Sequence, residues 1–424
     1  MRRSDIILYA ACALVLSGCA GRIGSGKSLE HYKSIVKELS SEKYQGRGYA
    51  NDGILKAGEY IAGEFRKSGA DEVAAQTFSI DVNTFPGKME ARVDGRPLTP
   101  GADFVMREYS PGVKGEFPLY RIDTLNYDSA KIFADLDKPE NKGALVVCDF
   151  WYCYKHRDDI KRLQSNGCPN GGLLQTWSTP LKFYKAYAEK VVDKPIVWTT
   201  EEAIEGVSRI SLDVENKFLK DYRSDNIIAL VRGNRHDSCY VFTAHYDHLG
   251  NLGADIFYPG ANDNASGTAA IITLCEHYAH NRPEFDIWFV AFSGEDTNLR
   301  GSTFFAEHPS VPLEQIRYLF NLDMIGDNNP VQYCEFSDSG LKAYPLWERL
   351  NEEGGRFKTL NRGELAANSD HYPFAVRGVP CVFFENKEGD AFKWYHTPED
   401  CWENAVFDSC LPLLGLLTDF IKEY

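Results

Sequence analysis

Beyond its first 20 positions the chain has no run of about 18 or more apolar residues, so no membrane-spanning helix is expected there. It also lacks any excess of positive charge: 46 Lys and Arg stand against 61 Asp and Glu, a formal net charge of −15. That balance argues against a phosphate-binding surface, and so against nucleic acid as a partner, but says nothing about fold. The eleven cysteines are scattered, without the Cys-x-x-Cys pairs of a structural metal knot. What the chain does have is 424 residues, 43% of them hydrophobic and 13% aromatic. Such a composition excludes wholesale disorder, and the length makes two domains the default expectation.

The apolar stretch near the start is too short to span a membrane and reads as a targeting segment over residues 1–19. Arg2 and Arg3 precede the run Ile6–Leu16, and Leu16-Ser17-Gly18-Cys19 closes it with small residues before a cysteine. The pattern resembles a bacterial lipobox, which implies acylation of Cys19 and a lipid anchor holding the protein at the cell envelope, periplasmic or on the outer membrane or surface. An ordinary signal peptide with an incidental cysteine is the plainer reading. The following GRIGSGKS reads as a flexible tether. Its Gly21, Gly26, Lys27 and Ser28 also spell a phosphate-binding loop, but no strand precedes them, so the match is a coincidence. Cys12 leaves with the signal and Cys19 is taken by the anchor, so an odd number of cysteines remains. Export permits disulfides, and Cys148, Cys153 and Cys168 are close enough in sequence to pair; which of them do is open.

Three textures follow. Leu29, Tyr32, Ile35, Val36 and Leu39 recur at helical spacing, Gly46-Arg47-Gly48 breaks the run, and Ala57, Tyr60, Ile61 and Phe65 resume it. From about residue 78 to 220 short strands alternate with Gly and Pro, and no His, Asp and Glu cluster has ligand spacing. From about residue 221 onward strands and helices alternate: Asn226–Val231, Tyr240–Ala244, a helix from Ser266, Ile287–Phe292, Tyr318–Leu322, Val379–Phe384 and a last helix over about 407–421. That alternation predicts an α/β fold with a mixed, largely parallel sheet flanked by helices. The N-terminal helical stretch is too short to fold alone. Residues 20–77 and 221–424 are therefore expected to form one discontinuous domain around an inserted β-rich block, 78–220.

Five short motifs carry metal-type side chains, each after an apolar strand or at the start of a helix. They are His245-Tyr246-Asp247-His248, Gly260-Ala261-Asn262-Asp263-Asn264-Ala265-Ser266-Gly267, Ser293-Gly294-Glu295-Asp296, Asn321-Leu322-Asp323-Met324-Ile325-Gly326 and Tyr395-His396-Thr397-Pro398-Glu399-Asp400. Alone, each has an ordinary reading: a His-x-Asp loop bond, a solvated acidic turn, or Asp263 as a helix cap. Together they are more telling, because residues just beyond several parallel strands converge at the carboxyl edge of the sheet. Imidazoles and carboxylates suit a cation such as zinc. Two adjacent metals could activate water and polarise a carbonyl, which is what amide hydrolysis needs.

The ordered set HYDH, GANDNASG, SGED, NLDMIG and YHTPED closely resembles the M28 zinc peptidases, a family that includes aminopeptidases, glutamate carboxypeptidases and glutaminyl cyclases. The match covers about residues 29–77 and 224–424, including the GRG loop and SDNIIALVRG. The block between is similar, more loosely, to a protease-associated domain, on KGALVV and its later strands. The resemblance implies the zinc-exopeptidase fold, two Zn2+ per chain and peptide substrates. It implies His245 and Asp323 on one zinc, Asp296 and His396 on the other, and Asp263 bridging them. Glu295 would be the general base, Asp247 the group holding the far nitrogen of His245, and Tyr395 a hydrogen-bond donor to the oxyanion. The Asp263–Asn264 peptide is often cis in the family. Ser369-Asp370-His371 matches a segment that lines the site, with His371 a substrate-side candidate. Many members have Glu-Glu where this chain has Glu295-Asp296. The expected activity is that of an exopeptidase, foremost an aminopeptidase on short peptides. The alternatives are a glutaminyl cyclase, a carboxypeptidase of the same fold, or a module that has lost its metals, although no ligand or base is missing here.

Overall fold

The computed structural model describes residues 23, 26–177, 181–182, 185, 187–386 and 392–424. The targeting segment and Cys19 lie outside them. The two N-terminal runs form the helices Gly26–Leu39 and Gly53–Lys67, which bury Tyr32, Ile35, Val36, Leu39, Ile54, Ala57, Ile61 and Phe65 on one face each. The chain then leaves along the strand Glu72–Thr84 and returns along Lys217–Val231. These pair antiparallel from Glu72 opposite Leu230 to Thr84 opposite Lys217. The expected edges of the inserted block, 78 and 220, fall within this ribbon.

The main sheet has eight strands. Its centre is the parallel set Phe285–Phe292, Arg235–His245, Ile316–Leu322 and Cys381–Glu385, adjacent in that order. These strands read as near-continuous apolar runs because both faces are covered. On one face Phe242 stacks between its register partners Phe289 and Phe320, with ring centroids 5.6 and 4.7 Å away. Helices Gly267–His280 and Cys410–Glu423 pack over that face. On the other, Val241, Val290 and Leu319 meet Phe305 and Phe374. Since all four strands run the same way, their carboxyl ends, His245, Phe292, Leu322 and Glu385, open onto one edge. Three strands of this sheet escape the sequence pattern, Glu72–Thr84, Val331–Phe336 and Thr359–Arg362. They lie at the sheet margins, where one-sided burial leaves alternating sequences instead of apolar runs.

The intervening residues form a second eight-stranded sheet whose middle strands, Val113–Arg121, Leu145–Asp149, Gly172–Trp177 and Ile196–Thr200, are parallel. It is tied to the first by Tyr187, whose hydroxyl donates to the His248 carbonyl at 2.8 Å. That hydroxyl fits only because Gly48 and Gly250 lack side chains: a Cβ on either would stand 2.1 or 2.5 Å from it. Among the described residues no helix is long and apolar enough to cross a membrane, and the nine cysteines from Cys148 to Cys410 are free thiols. Of the three expected to be near one another, Cys148 and Cys153 have sulfurs 3.4 Å apart.

Candidate metal centre

His245 is the last residue of its strand. Its Nδ1 donates to the Asp247 carbonyl at 3.1 Å, which orients the ring and turns Nε2 to the strand edge. There Nε2 lies 3.2 Å from Asp323 Oδ1 and 3.3 Å from Asp263 Oδ1. Ligand atoms of these three buried residues fall within 4.8 Å of one another, a grouping able to hold a metal ion. Asp323 is aimed by a hydrogen-bond chain. Thr243 donates to Asn321 Oδ1 (2.7 Å), the Asn321 amide to Ser369 Oγ (2.8 Å), and Ser369 to Asp323 Oδ2 (2.8 Å).

Asp263 sits in a widened turn, 261–266, ahead of the helix Gly267–His280, and the Asp263–Asn264 peptide is cis. Its backbone is held from two sides. The Asp400 carboxylate accepts from the Asn262 and Asp263 amides at 2.8 and 3.0 Å. Arg47 donates from below to the carbonyls of Leu39, Tyr246, Pro259, Gly260 and Asp263 at 2.5–3.0 Å. Gly260 has φ 59°, and a Cβ there would stand 2.2 Å from the Asp263 carbonyl, so only glycine fits.

The second oxygen of Asp263 faces the other way. His396 Nε2 lies 3.1 Å from Asp263 Oδ2, so the two oxygens of one carboxylate address two different imidazoles. Asp296 follows the strand Phe285–Phe292 and brings its buried Oδ2 to 3.6 Å from His248 Nδ1. The Asp247 carboxylate does not make the expected contact as its main one: it stands 3.7 Å from His245 Nδ1. It accepts instead from the Glu295 and Asp296 amides at 3.1 and 3.3 Å. The reason is local. The carbonyl of Asp247 already serves the imidazole, which frees the carboxylate to clamp the acidic turn.

Burial and mutual repulsion perturb several of these carboxylates. Desolvation, with the Asp263 charge next, pushes Asp296 up to about 7. Desolvation also raises Asp370 and Asp400 to about 7 and Glu295 well above the carboxylate range, the last against the pull of His245 and with the push of Asp296. Asp263 goes the other way: burial would raise it, but His248, His245 and His396 hold it well below the usual range. Burial would lower His245, yet Asp323 and Glu295 lift it well above its ordinary value. Burial takes His248 down to about 3. Carboxylates crowded to this degree, with histidines between them, are a charge distribution that divalent cations neutralise. Two imidazoles and three carboxylates, one of them shared, are the donor types such cations take.

A cavity of about 660 Å³ opens onto Glu295, Asp296, Tyr395 and His396, with Leu299, Tyr372, Pro373 and Arg377 on its walls. Lys185, from the inserted block, lines it too, and the Lys182 ammonium lies 5.4 Å over the Tyr395 ring. Tyr395 stacks on His396 at 3.7 Å. His371 does not line this cavity: it is fully buried, stacks on Phe383 at 4.7 Å and points Nε2 toward Glu335 at 3.8 Å. Its neighbours Tyr372 and Pro373 form the wall, because the short helix they begin turns His371 back onto the sheet. A second cavity of about 570 Å³ lies in the inserted block and shares no residue with this site. Sequence reasoning gave no role to Arg47, Asp400 or His248, and placed Ser369 only within a segment lining the site. Arg47 sat in the GRG loop it noted and Asp400 ended a motif it quoted, but their partners lie far off in sequence.

Residues 226–411 match the sequence profile of Peptidase family M28. Aminopeptidase YwaD of Bacillus subtilis is 32% identical over 218 residues, 49% of this chain and 46% of the relative. A probable zinc metalloprotease of Pyricularia oryzae is 35% identical over 131 residues, 30% of this chain and 24% of the relative. The chain thus spans less than half the length of these curated relatives. Among solved structures, BSAP, a zinc aminopeptidase from Bacillus subtilis, superposes with a TM-score of 0.70 at 23% identity, covering 93% of this chain and 94% of that one. An aminopeptidase from Aneurinibacillus sp. strain AM-1 gives 0.64 at 20% identity, covering 93% and 92%. This mixed α/β fold is therefore shared along nearly the whole chain.

Proposed function

We propose that the protein is a two-zinc exopeptidase, an aminopeptidase that removes N-terminal residues from short peptides; the match of residues 226–411 to Peptidase family M28 supports this reading. The observation that carries this reading is Asp263, whose two oxygens face His245 at 3.3 Å and His396 at 3.1 Å. His245 and Asp323 would hold one zinc, Asp296 and His396 the other, and Asp263 both. Once bound, such a pair supplies a Lewis acid for the scissile carbonyl and a nucleophile at neutral pH.

The rest falls to the chain. Glu295 is partly buried and lines the cavity, its amide tied to Asp247, and it takes the proton of the attacking water and delivers it to the leaving amine. Tyr395 keeps its proton, because burial and then Asp263 and Asp296 hold its phenol well above the ordinary value, and so it can donate to the oxyanion. Leu299, Tyr372 and Pro373 exclude water from one side, and the inserted block contributes Lys185 on another. We assign that block, as a protease-associated-like insert, the role of walling the cleft.

The test is an assay on a panel of free and N-blocked peptides, with chelator and after zinc is restored. Release of N-terminal residues that chelation abolishes supports the reading. Cyclisation of N-terminal glutamine without peptide hydrolysis would replace it with a cyclase, and release from the carboxyl end with a carboxypeptidase. The Arg2, Arg3 and Leu-Ser-Gly-Cys pattern supports a further part of the proposal, export and lipid anchoring at Cys19. A Cys19→Ser protein that stays in the membrane fraction and still takes up labelled palmitate would refute that part.

A further inference from the structure

His248 has no part in the site assigned so far, although it lies three residues beyond His245, in the loop that follows the strand. Its side chain is fully buried, and neither ring nitrogen has a hydrogen-bond partner among the described residues. Leaving both polar atoms of a buried imidazole unpaired is costly, so the arrangement needs a reason. The ring is held in place: the His248 carbonyl accepts from Tyr187, and a Cβ on Gly260 would press to 2.5 Å from Cδ2.

Nδ1 points at two of the residues proposed to hold the second cation, 3.6 Å from Asp296 Oδ2 and 3.8 Å from Asp263 Oδ2. These separations are too long for hydrogen bonds. They are close to the spacing of neighbouring donor atoms around one four-coordinate zinc, roughly 3.3–3.5 Å for bonds of about 2.0–2.1 Å. Asp296 Oδ2 is itself a buried atom with no hydrogen-bond partner among the described residues. On the far side, His396 Nε2 reaches the same Asp263 oxygen at 3.1 Å, and the two imidazole rings are 6.0 Å apart across it. We propose, resting on the two-zinc reading above, that His248 is a further protein ligand of the second cation, through Nδ1. That site then has two imidazoles and two carboxylates, against one imidazole and two carboxylates at the site of His245 and Asp323. One strand end and the loop after it serve both, His245 through Nε2 and His248 through Nδ1.

The count of imidazoles makes this testable without reference to activity. X-ray absorption on wild-type protein with two zinc per chain should give outer-shell scattering from three imidazoles over two metals, an average of 1.5 per zinc. An average of 1 refutes the assignment. His248→Ala, and His248→Gln in case the smaller side chain destabilises the loop, should keep the first zinc and bind the second more weakly. In chelator competition a ligand's loss should exceed the 10–100-fold that losing an outer hydrogen-bonding partner costs. A second zinc bound with wild-type affinity, or weakened only within that range, overturns ligation by His248. Wild-type protein that binds no zinc at all would sink the two-zinc reading itself, and this inference with it.

Discussion

Replacing Glu295 with glutamine removes a proton acceptor while keeping the size, the planar end group and a hydrogen-bonding oxygen. The turn that presents it should not move, since the Glu295 and Asp296 amides are held by the Asp247 carboxylate at 3.1 and 3.3 Å whatever the side chain. Nor should zinc be lost, because the proposed ligands are Asp296 and its partners, not Glu295. What disappears is the group that carries the proton from water to the leaving amine. A positioned acid–base group is typically worth about 10²–10⁴ in rate. At 1.36 kcal/mol per tenfold this is a barrier increase of about 2.7–5.4 kcal/mol, expected in kcat with KM little changed. The assay pairs steady-state kinetics on a short peptide with elemental analysis and a thermal melt of the same preparation. Asp296→Asn is the contrast: it should lose second-site zinc together with activity. Should Glu295→Gln retain wild-type kcat, the proton must travel by another group. If it loses metal while Asp296→Asn keeps it, the roles of this adjacent pair are reversed.

Four other outcomes follow from the site. Asp263→Ala should reduce bound zinc from about two per chain toward none, since it serves both positions; a variant that keeps one tight zinc contradicts the shared role, as read by elemental analysis. Ser369→Ala removes the hydroxyl that orients Asp323 and should weaken first-site zinc by about 10–100-fold in chelator competition. Arg47→Met strips donors from five buried carbonyls and should destabilise the protein by at least about 3 kcal/mol in denaturant titration. The metal-free protein should lose stability as pH rises from about 4 to 7. Asp296, Asp370 and Asp400 have folded values near 7, so the native state binds more protons than the unfolded chain across that window. The zinc-bound form should show a smaller fall, because Asp296 is then held ionised, and a metal-free Tm that climbs over the same range would contradict the assignment.

The sequence by itself determined much of the frame and which metal-type side chains to look for. Its central strands are read from apolar runs because burial on both faces demands them. The residues now gathered at the strand edge were named from motifs in which the metal-type side chain sits next to the strand end that positions it. Local signals of that kind survive without a structure, because the strand and the ligand it presents are a few residues apart. The margin strands Glu72–Thr84, Val331–Phe336 and Thr359–Arg362 were not legible, since one-sided burial leaves no such run. Only the tertiary structure decided which atoms face which. The Asp247 carboxylate went to the Glu295 turn because a backbone carbonyl had already taken its imidazole. His371 turned onto Phe383, and Arg47 reached carbonyls up to 216 positions away. It also decided that Tyr187, from the inserted block, seats between Gly48 and Gly250 behind His248. Each of these depends on long-range packing that fixes a side chain's direction, and direction, unlike residue type and spacing, is not written in any local stretch of the chain.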